Sequence, residues 1–213
     1  MKTLTEYILE KIKDLPNNVS GLIVFDIDDT ILKSDPSLMS IYKKTENGEI
    51  KLTTDEFAKD PDAGKPEKDN LFDFRDFNDP VKVYNSIISG TPLIKNLKIM
   101  DSYVNAGYDF CFLTARGCEE VIKSALDDFL KIRNKNGALE KLGESFKKTI
   151  SHAVNDKFKH YPGNTDAEKK SNVLKDLCKK YDKVVFVDDD KKNISIARGL
   201  NIKNLTVIKA WDE

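Results

Sequence analysis

Cysteine is scarce. The three present, Cys111, Cys118 and Cys178, are odd in number and irregular in spacing, so no disulfide framework is expected. With only two histidines, His152 and His160, and no Cys/His cluster, the chain offers no zinc site of ordinary ligand spacing. Neither histidine falls in a recognisable Ser-His or Cys-His motif. No apolar run approaches the roughly 20 residues that a bilayer span requires, and the opening MKTLTEYILEKIKDLP does not read as a signal peptide. Excess charge of either sign is also missing. Lys and Arg total 35 against 36 Asp and Glu, which excludes a broad basic footprint for duplex DNA and a polybasic membrane anchor but leaves room for a local basic patch. A cytoplasmic protein with no membrane partner is the expectation, and nothing in the sequence signals an oligomeric state.

What is present is a core. At 213 residues and 39% hydrophobic, the chain is long enough for one large domain or a domain with an insertion. Four apolar runs of strand length, Leu22 to Phe25, Tyr108 to Leu113, Lys183 to Val187 and Leu205 to Ile208, are bounded by turn or polar residues. Thr149 to Val154 is a weaker fifth. Between them lie helical patterns over Pro92 to Ala106, Gly117 to Arg133 and Asp166 to Tyr181. A further amphipathic helix is expected near the start, where Leu4, Ile8 and Ile12 recur before Pro16. The alternation predicts an α/β fold: a Rossmann-like, mostly parallel sheet sandwiched by helices.

One interval breaks the rhythm. About 80 residues separate the first two strands, where a crossover needs about a dozen. Within the surplus, Asn47-Gly48 is a hairpin-turn signal between Ser40-Ile41-Tyr42 and Ile50-Lys51-Leu52. Thr53-Thr54-Asp55-Glu56 reads as a capping box. Asp60 to Asn70 is polar and expected to be a mobile loop, and Asp79-Pro80 opens a helix through Ser89. The division predicted is a core of residues 1–33 and 91–213 with a small inserted cap, 34–90.

The residues just beyond the strands are more specific than the strands themselves. The first strand runs into Asp26-Ile27-Asp28-Asp29-Thr30, the second into Thr114-Ala115-Arg116, and Lys183 to Val187 into Asp188-Asp189-Asp190. In open parallel sheets ligands bind beyond the carboxyl ends of the strands, so these groups should converge although about 160 residues of chain separate them. Two carboxylates about 4 Å apart repel by about 4 kcal/mol at an effective dielectric of 20. Asp26, Asp28 and Asp189 therefore call for a cation or shared protons, and an all-oxygen set suits Mg²⁺. Any one of these aspartates alone reads equally as a helix N-cap or an Asx turn.

FDIDDTIL, then FLTAR, then Lys170 in KSNVL, then FVDDDKKNI resembles the four-motif series of the haloacid dehalogenase-like (HAD) superfamily of phosphatases, over Gly21 to about Ile208. More narrowly, it looks like the small phosphatases that bacteria and bacteriophages encode, whose insert after the first motif is a type 1 cap. The resemblance implies Asp26 as nucleophile, forming an aspartyl-phosphate, and Asp28 as the acid and base that serves the leaving oxygen and the water. It implies Mg²⁺ held by the Asp26 carboxylate, the Asp28 carbonyl and Asp189, with Asp188 and Asn193 in support and Asp188 as the fallback ligand. Thr114 and Lys170 would bind the phosphoryl group, with Lys169 the competitor of Lys170. The substrate implied is a small phosphomonoester, or alternatively a nucleotide or nucleic-acid end.

Arg116 is one of only four arginines in a lysine-dominated chain. It reads either as a clamp on a substrate phosphate or carboxylate, or as an arginine near a helix start paired with an acidic residue. Other features look structural. Cys111 lies inside a strand, one residue short of the Cys-x5-Arg spacing of cysteine-dependent phosphatases; Trp211 suits a tail anchor; and Phe72, Phe74 and Phe77 suit packing between cap and core. Lys147-Lys148 and Lys179-Lys180 could line a groove for a polynucleotide end, against the default of a solvated face. A phosphoacceptor receiver domain is disfavoured because its acceptor Asp would stand where Thr114-Ala115-Arg116 does. An inactive, Mg²⁺-binding interaction protein on the same scaffold is disfavoured because both Asp26 and Asp28 are present.

Overall fold

The structure is a computed structural model, and it describes residues 20–35, 37–133 and 150–211. The segment around Leu4, Ile8 and Ile12 and the Lys147-Lys148 pair lie outside these residues. In chain order the strands are β1 (Gly21–Phe25), β2 (Leu32–Lys33), β3 (Ile41–Thr45), β4 (Gly48–Leu52), β5 (Phe72–Asp73), β6 (Thr91–Pro92), β7 (Asp109–Thr114), β8 (Ile150–Ala153), β9 (Lys183–Asp188) and β10 (Leu205–Lys209). The α-helices are α1 (Thr54–Lys59), α2 (Pro80–Ile88), α3 (Ile94–Asn105), α4 (Glu119–Arg133), α5 (Asp166–Cys178) and α6 (Lys191–Gly199).

Five strands form a parallel sheet in the order β10-β9-β1-β7-β8. Successive side chains of a strand point to opposite faces, and both faces are covered. Ile23 and Phe25 join Phe112, Val185 and Val187 in a cluster with Val83 and Ile87 of α2, Leu97 and Met100 of α3, and Ile122 and Phe129 of α4. Leu22 and Val24 join Leu113, Val184 and Phe186 beneath Val173 and Leu174 of α5 and Ala197 of α6. Burial on two faces is why these strands read as continuous apolar runs. The result is an α/β fold consistent with the Rossmann-like expectation, and the weak strand signal around residue 150 is β8.

Caps set the helix starts. Thr165 and Glu168 form a reciprocal capping box on α5, Asp79 caps α2 with Pro80 in its first turn, and Asp190 caps α6. Two starts fall later than the periodicity predicts. Thr91 and Pro92 pair with β2 as β6, which delays α3 to Ile94. Cys118 takes φ 59°, a left-handed conformation that holds α4 back to Glu119.

The pairing of β2 with β6 brings the two ends of the 34–90 segment together. That segment contributes a three-stranded antiparallel sheet, β4-β3-β5. Its hairpin turns at Glu46-Asn47, one residue earlier than predicted, because Gly48 at φ 115° closes the turn and pairs with Thr45. The Thr53–Glu56 capping box is present on α1. The polar stretch after Asp60 contains a 3-10 turn, Pro66–Leu71, and Lys43 ties it down through ion pairs to Asp60 and Asp62. Phe72 and Phe74 stack edge-to-face on Phe57, and Phe74 on Phe77, so these rings pack within the insert rather than between insert and core. Helix α2, by contrast, is part of the main core.

Candidate functional site

The strand order places a switch point at β1. The chain runs from β1 to β7 and β8 on one side, then returns to β9 and β10 on the other. In such sheets the crevice at the switch point is where ligands bind. Asp26 comes directly after β1, Asp188 ends β9 and Asp189 is the next residue, and the amide of Asp26 extends the pairing by donating to Val187 O at 3.0 Å. One carboxylate oxygen from each of Asp26, Asp188 and Asp189 lies within 4.8 Å of the others, with Asp26 and Asp188 buried and Asp189 half-buried. These three could hold a metal ion, and their oxygen-only donor set fits a hard cation.

Lys170 projects from α5 into the same place. Its ammonium, 2% exposed as a residue, donates to Asp26 Oδ1 and Asp188 Oδ2, both at 2.8 Å. Burial works against that charge, but Asp26 and Asp188 outweigh it and hold the Lys170 pKa above the usual lysine range. The Asp26 pKa is raised as well. Burial pushes its carboxyl well up and Asp188, Asp189 and Asp28 add to this, with Lys170 opposing. Asp189 is pushed up to about 7 by burial and then by Asp188 and Asp29, against a hydrogen bond from Thr30. Lys169, the alternative lysine, instead donates to Asn155 Oδ1 at 2.6 Å.

The aspartates of the triplet separate into different tasks. Asp188 accepts from Lys170, from Asn193 Nδ2 at 3.1 Å to both oxygens, and from the Asp190 amide at 2.9 Å. Asp189 accepts from Thr30 Oγ1 at 3.1 Å. Asp190 is the helix cap, accepting from the Asn193 amide at 2.8 Å.

Asp28 stands apart from this cluster, in the grip of Arg116. Nε and Nη2 donate to its two oxygens, each at 2.7 Å, and Ser34 Oγ adds a third bond at 2.7 Å. The remaining Arg116 donors go to Ser34 Oγ, Ser86 Oγ and Val83 O, so all five N–H groups are engaged and the residue is 1% exposed. Of the two readings of Arg116, the structure shows the acidic partner; a clamp on substrate would require this set of bonds to break. Burial alone would raise the Asp28 pKa, but Arg116 and Ser34 outweigh it and hold the carboxyl below its usual range.

Thr114 is buried at the end of β7, where its Oγ1 accepts from the Arg116 amide at 3.2 Å. The turn it opens is fastened from two sides. Asn155, just beyond β8, donates to Ala115 O at 2.7 Å and to Asp166 Oδ1 at 3.0 Å, linking this turn to the start of the Lys170 helix. From the insert, Phe77 O accepts from Gly117 N at 2.9 Å, and Asn78 Oδ1 packs so close that a Cβ at 117 would lie 2.1 Å away. Any side chain at 117 would force Asn78 to shift.

Sequence reasoning missed Thr30, Ser34, Ser86 and Asn155. Thr30 and Ser34 sit in or beside the quoted acidic motif, and Asn155 comes soon after a strand at the ligand edge, so position offered a hint for these three. Nothing local marks Ser86. The bland reading of Cys111 holds: it is buried in β7 with its thiol pKa pushed up by burial. Trp211 is tied to Asn96 through its backbone, while its ring is exposed. Lys179 makes an exposed ion pair with Asp176.

Fold and site together define an α/β protein with an acidic cluster at the switch point of a parallel sheet, able to hold a metal ion. No protein-family model matches the chain, and no curated protein matches it. Among solved structures, a chain from the structure of the Pnkp1/Rnl/Hen1 RNA repair complex is similar to it, with a TM-score of 0.45 and 12% identity. The match covers 94% of this chain and 46% of that one, so this protein spans less than half of its neighbour's length. Among the described residues, no helix is long and apolar enough to cross a membrane.

Proposed function

We propose that this protein is a Mg²⁺-dependent phosphatase of the HAD type, hydrolysing a phosphomonoester through an aspartyl-phosphate on Asp26. The observation that carries the reading is the Lys170 ammonium seated between Asp26 and Asp188 at 2.8 Å, with Asp189 beside them at the switch point. A buried lysine held against two carboxylates supplies fixed positive potential where a phosphoryl group would bring negative charge.

Asp26, Asp189 and the Asp28 carbonyl would hold Mg²⁺, which supplies charge neutralisation at the phosphoryl oxygens. Asp189 suits direct ligation better than Asp188, whose oxygens already accept from Lys170, Asn193 and the Asp190 amide. The Asp26 carboxylate attacks phosphorus in line, and the bond to the leaving oxygen breaks. Lys170 and the Thr114 hydroxyl hold the transferred group. Asp28 gives the leaving oxygen its proton, then takes one from the water that opens the aspartyl-phosphate. Arg116 is a positioning residue in this scheme: it fixes the Asp28 carboxyl rather than binding substrate. Within residues 34–90 the β4-β3-β5 sheet is the body of the small cap, while α2 packs into the core built from residues 1–33 and 91–213.

Hydrolysis of p-nitrophenyl phosphate tests the reading. Turnover is expected with Mg²⁺, is expected to vanish with EDTA, and to vanish in Asp26→Asn. A wild-type protein that neither turns over nor forms a Mg²⁺-dependent fluoroberyllate complex would sink the proposal and favour an inactive binding protein.

A further inference from the structure

Phe158 is 98% exposed, the most exposed of the large apolar side chains in the described structure. It sits in the loop that leaves β8 at the carboxyl edge of the sheet, the edge that carries Asp26, Thr114 and Asp188. The loop is not slack. Phe158 N donates to Asp156 Oδ1 at 2.8 Å, and Asp156 Oδ2 accepts from Glu119 N at 2.7 Å. Glu119 in turn accepts from Lys159 at 2.6 Å, from the Tyr161 hydroxyl at 2.7 Å and from the Ala153 amide at 3.1 Å. Tyr161, buried at the far end of the loop, also shares a hydrogen bond with His152 Nδ1 at 3.0 Å. The backbone that carries this exposed ring is thus braced, with much of the loop's ordering entropy already spent on folding.

Its neighbours are cationic. The sequence around it is Lys157-Phe158-Lys159-His160. Lys159 is matched by Glu119, but Lys157 and Lys169 make no ion pair among the described residues, and Lys169 donates to the neutral Asn155 amide. The bond from Glu119 N to Asp156 puts the loop beside the turn after Thr114. An exposed aromatic face flanked by lysines is the chemistry that receives a nucleobase while its backbone phosphates meet the cations.

We infer that Phe158 is a stacking platform for a base of a single-stranded nucleic acid whose terminal phosphate enters the Asp26–Lys170 site, with Lys157 and Lys169 contacting its backbone. This rests on the phosphatase reading and narrows its substrate to polynucleotide ends. β8 lies two strand spacings, about 10 Å, from β1, so a substrate that reaches both the Asp26–Lys170 site and the loop after β8 must run along the sheet edge. A chain of nucleotides does so.

The test separates binding from chemistry. Fluorescence anisotropy with a labelled single-stranded oligonucleotide bearing a terminal phosphate is read in the Asp26→Asn chain, with and without Phe158→Ala. Affinity should fall about tenfold in Phe158→Ala, in the range measured for one stacked base, and Phe158→Trp should preserve it. Lys157→Ala should flatten the salt dependence by about one charge. In the otherwise wild-type chain, Phe158→Ala should leave p-nitrophenyl phosphate hydrolysis unchanged. Absence of that hydrolysis in wild type would count against the phosphatase reading alone, because the anisotropy still reports on Phe158. Unchanged oligonucleotide affinity in Phe158→Ala overturns the inference. So does an equal loss for a phosphorylated mononucleotide, which would make the substrate a free nucleotide. Dissociation of a dimer in sedimentation, with oligonucleotide affinity intact, would assign the ring to a contact between copies and overturn it as well.

Discussion

Asp28 and Arg116 are 88 positions apart in the chain, yet their side chains meet as a bidentate pair with both bonds at 2.7 Å. The pair ties the turn after β1 to the turn after β7, and Ser34 and Ser86 bring in the start of the 34–90 segment and helix α2. Four separate stretches of chain are thereby joined at one guanidinium.

Arg116→Ala would remove that junction and leave Asp28 with Ser34 alone. Stability should fall by about 1–3 kcal/mol, the range for hydrogen-bond partners left unpaired, measurable by denaturant unfolding. If Asp28 is the acid and base, kcat should fall about a hundredfold. The limb of the pH–rate profile that reports Asp28 should also move to higher pH, because the cation that lowers its pKa is gone. Arg116→Lys should recover part of the stability and less of the activity, since an ammonium lacks the planar fork. A wild-type pH profile in Arg116→Ala would contradict the positioning role.

Metal binding and pH should be coupled through Asp189. Its pKa in the folded chain is about 7, against about 3.9 for an unperturbed aspartate. A raised folded pKa favours the fold fully below about pH 4, and that contribution is lost as pH rises through about 7. Without metal, thermal stability should therefore decline from pH 5 to pH 8. Mg²⁺ binds the ionised carboxylates, so it should raise Tm more at pH 8 than at pH 5. At about a hundred times its Kd the gain is about 2.7 kcal/mol. Asp189→Asn should be more stable than wild type in EDTA at pH 8 and should lose most of the Mg²⁺ response. Calorimetry at the two pH values decides it; an Mg²⁺ effect that is equal at both would refute the coupling.

Asn155 touches neither the acidic cluster nor Lys170, but it joins the Thr114 turn to the helix that carries Lys170. Asn155→Ala should cost about 1 kcal/mol of stability for the lost amide bonds. A small displacement of Thr114 relative to Lys170 should lower kcat about tenfold with little change in KM. Asn155→Asp should not rescue it, because a carboxylate cannot donate to Ala115 O. Steady-state kinetics of the two variants provide the check.

Much of the fold was legible in the chain itself. Burial on both faces writes a parallel strand as an apolar run, so β1, β7, β9 and β10 could be placed to within a residue. Capping demands particular side chains at particular spacings, so Thr53 and Asp79 announced their helices. The acidic positions were legible because a sheet edge receives the residues just past its strands, and strand ends are local features. Lys170 was preferred over Lys169 because its spacing to Val173 and Leu174 matches the Lys-x-x-apolar-Leu pattern of the family the sequence resembles, and it is Lys170 that sits against Asp26 and Asp188 while Lys169 goes to Asn155.

Tertiary structure alone decided the partnerships. Whether Arg116 faced a ligand or an aspartate depended on where Ser34, Ser86 and Asp28 came to rest, which no local pattern records. The division of Asp188, Asp189 and Asp190 into lysine partner, threonine partner and helix cap required the exact placement of α5 and α6 against the sheet. The bracing of Phe158 by Glu119 joins residues about 40 positions apart. Sequence determined which groups arrive at the carboxyl edge, because strand and helix periodicity dictate it. Which of them touch, and so which charges are held and which are left to meet a ligand, was set by packing between segments distant in the chain.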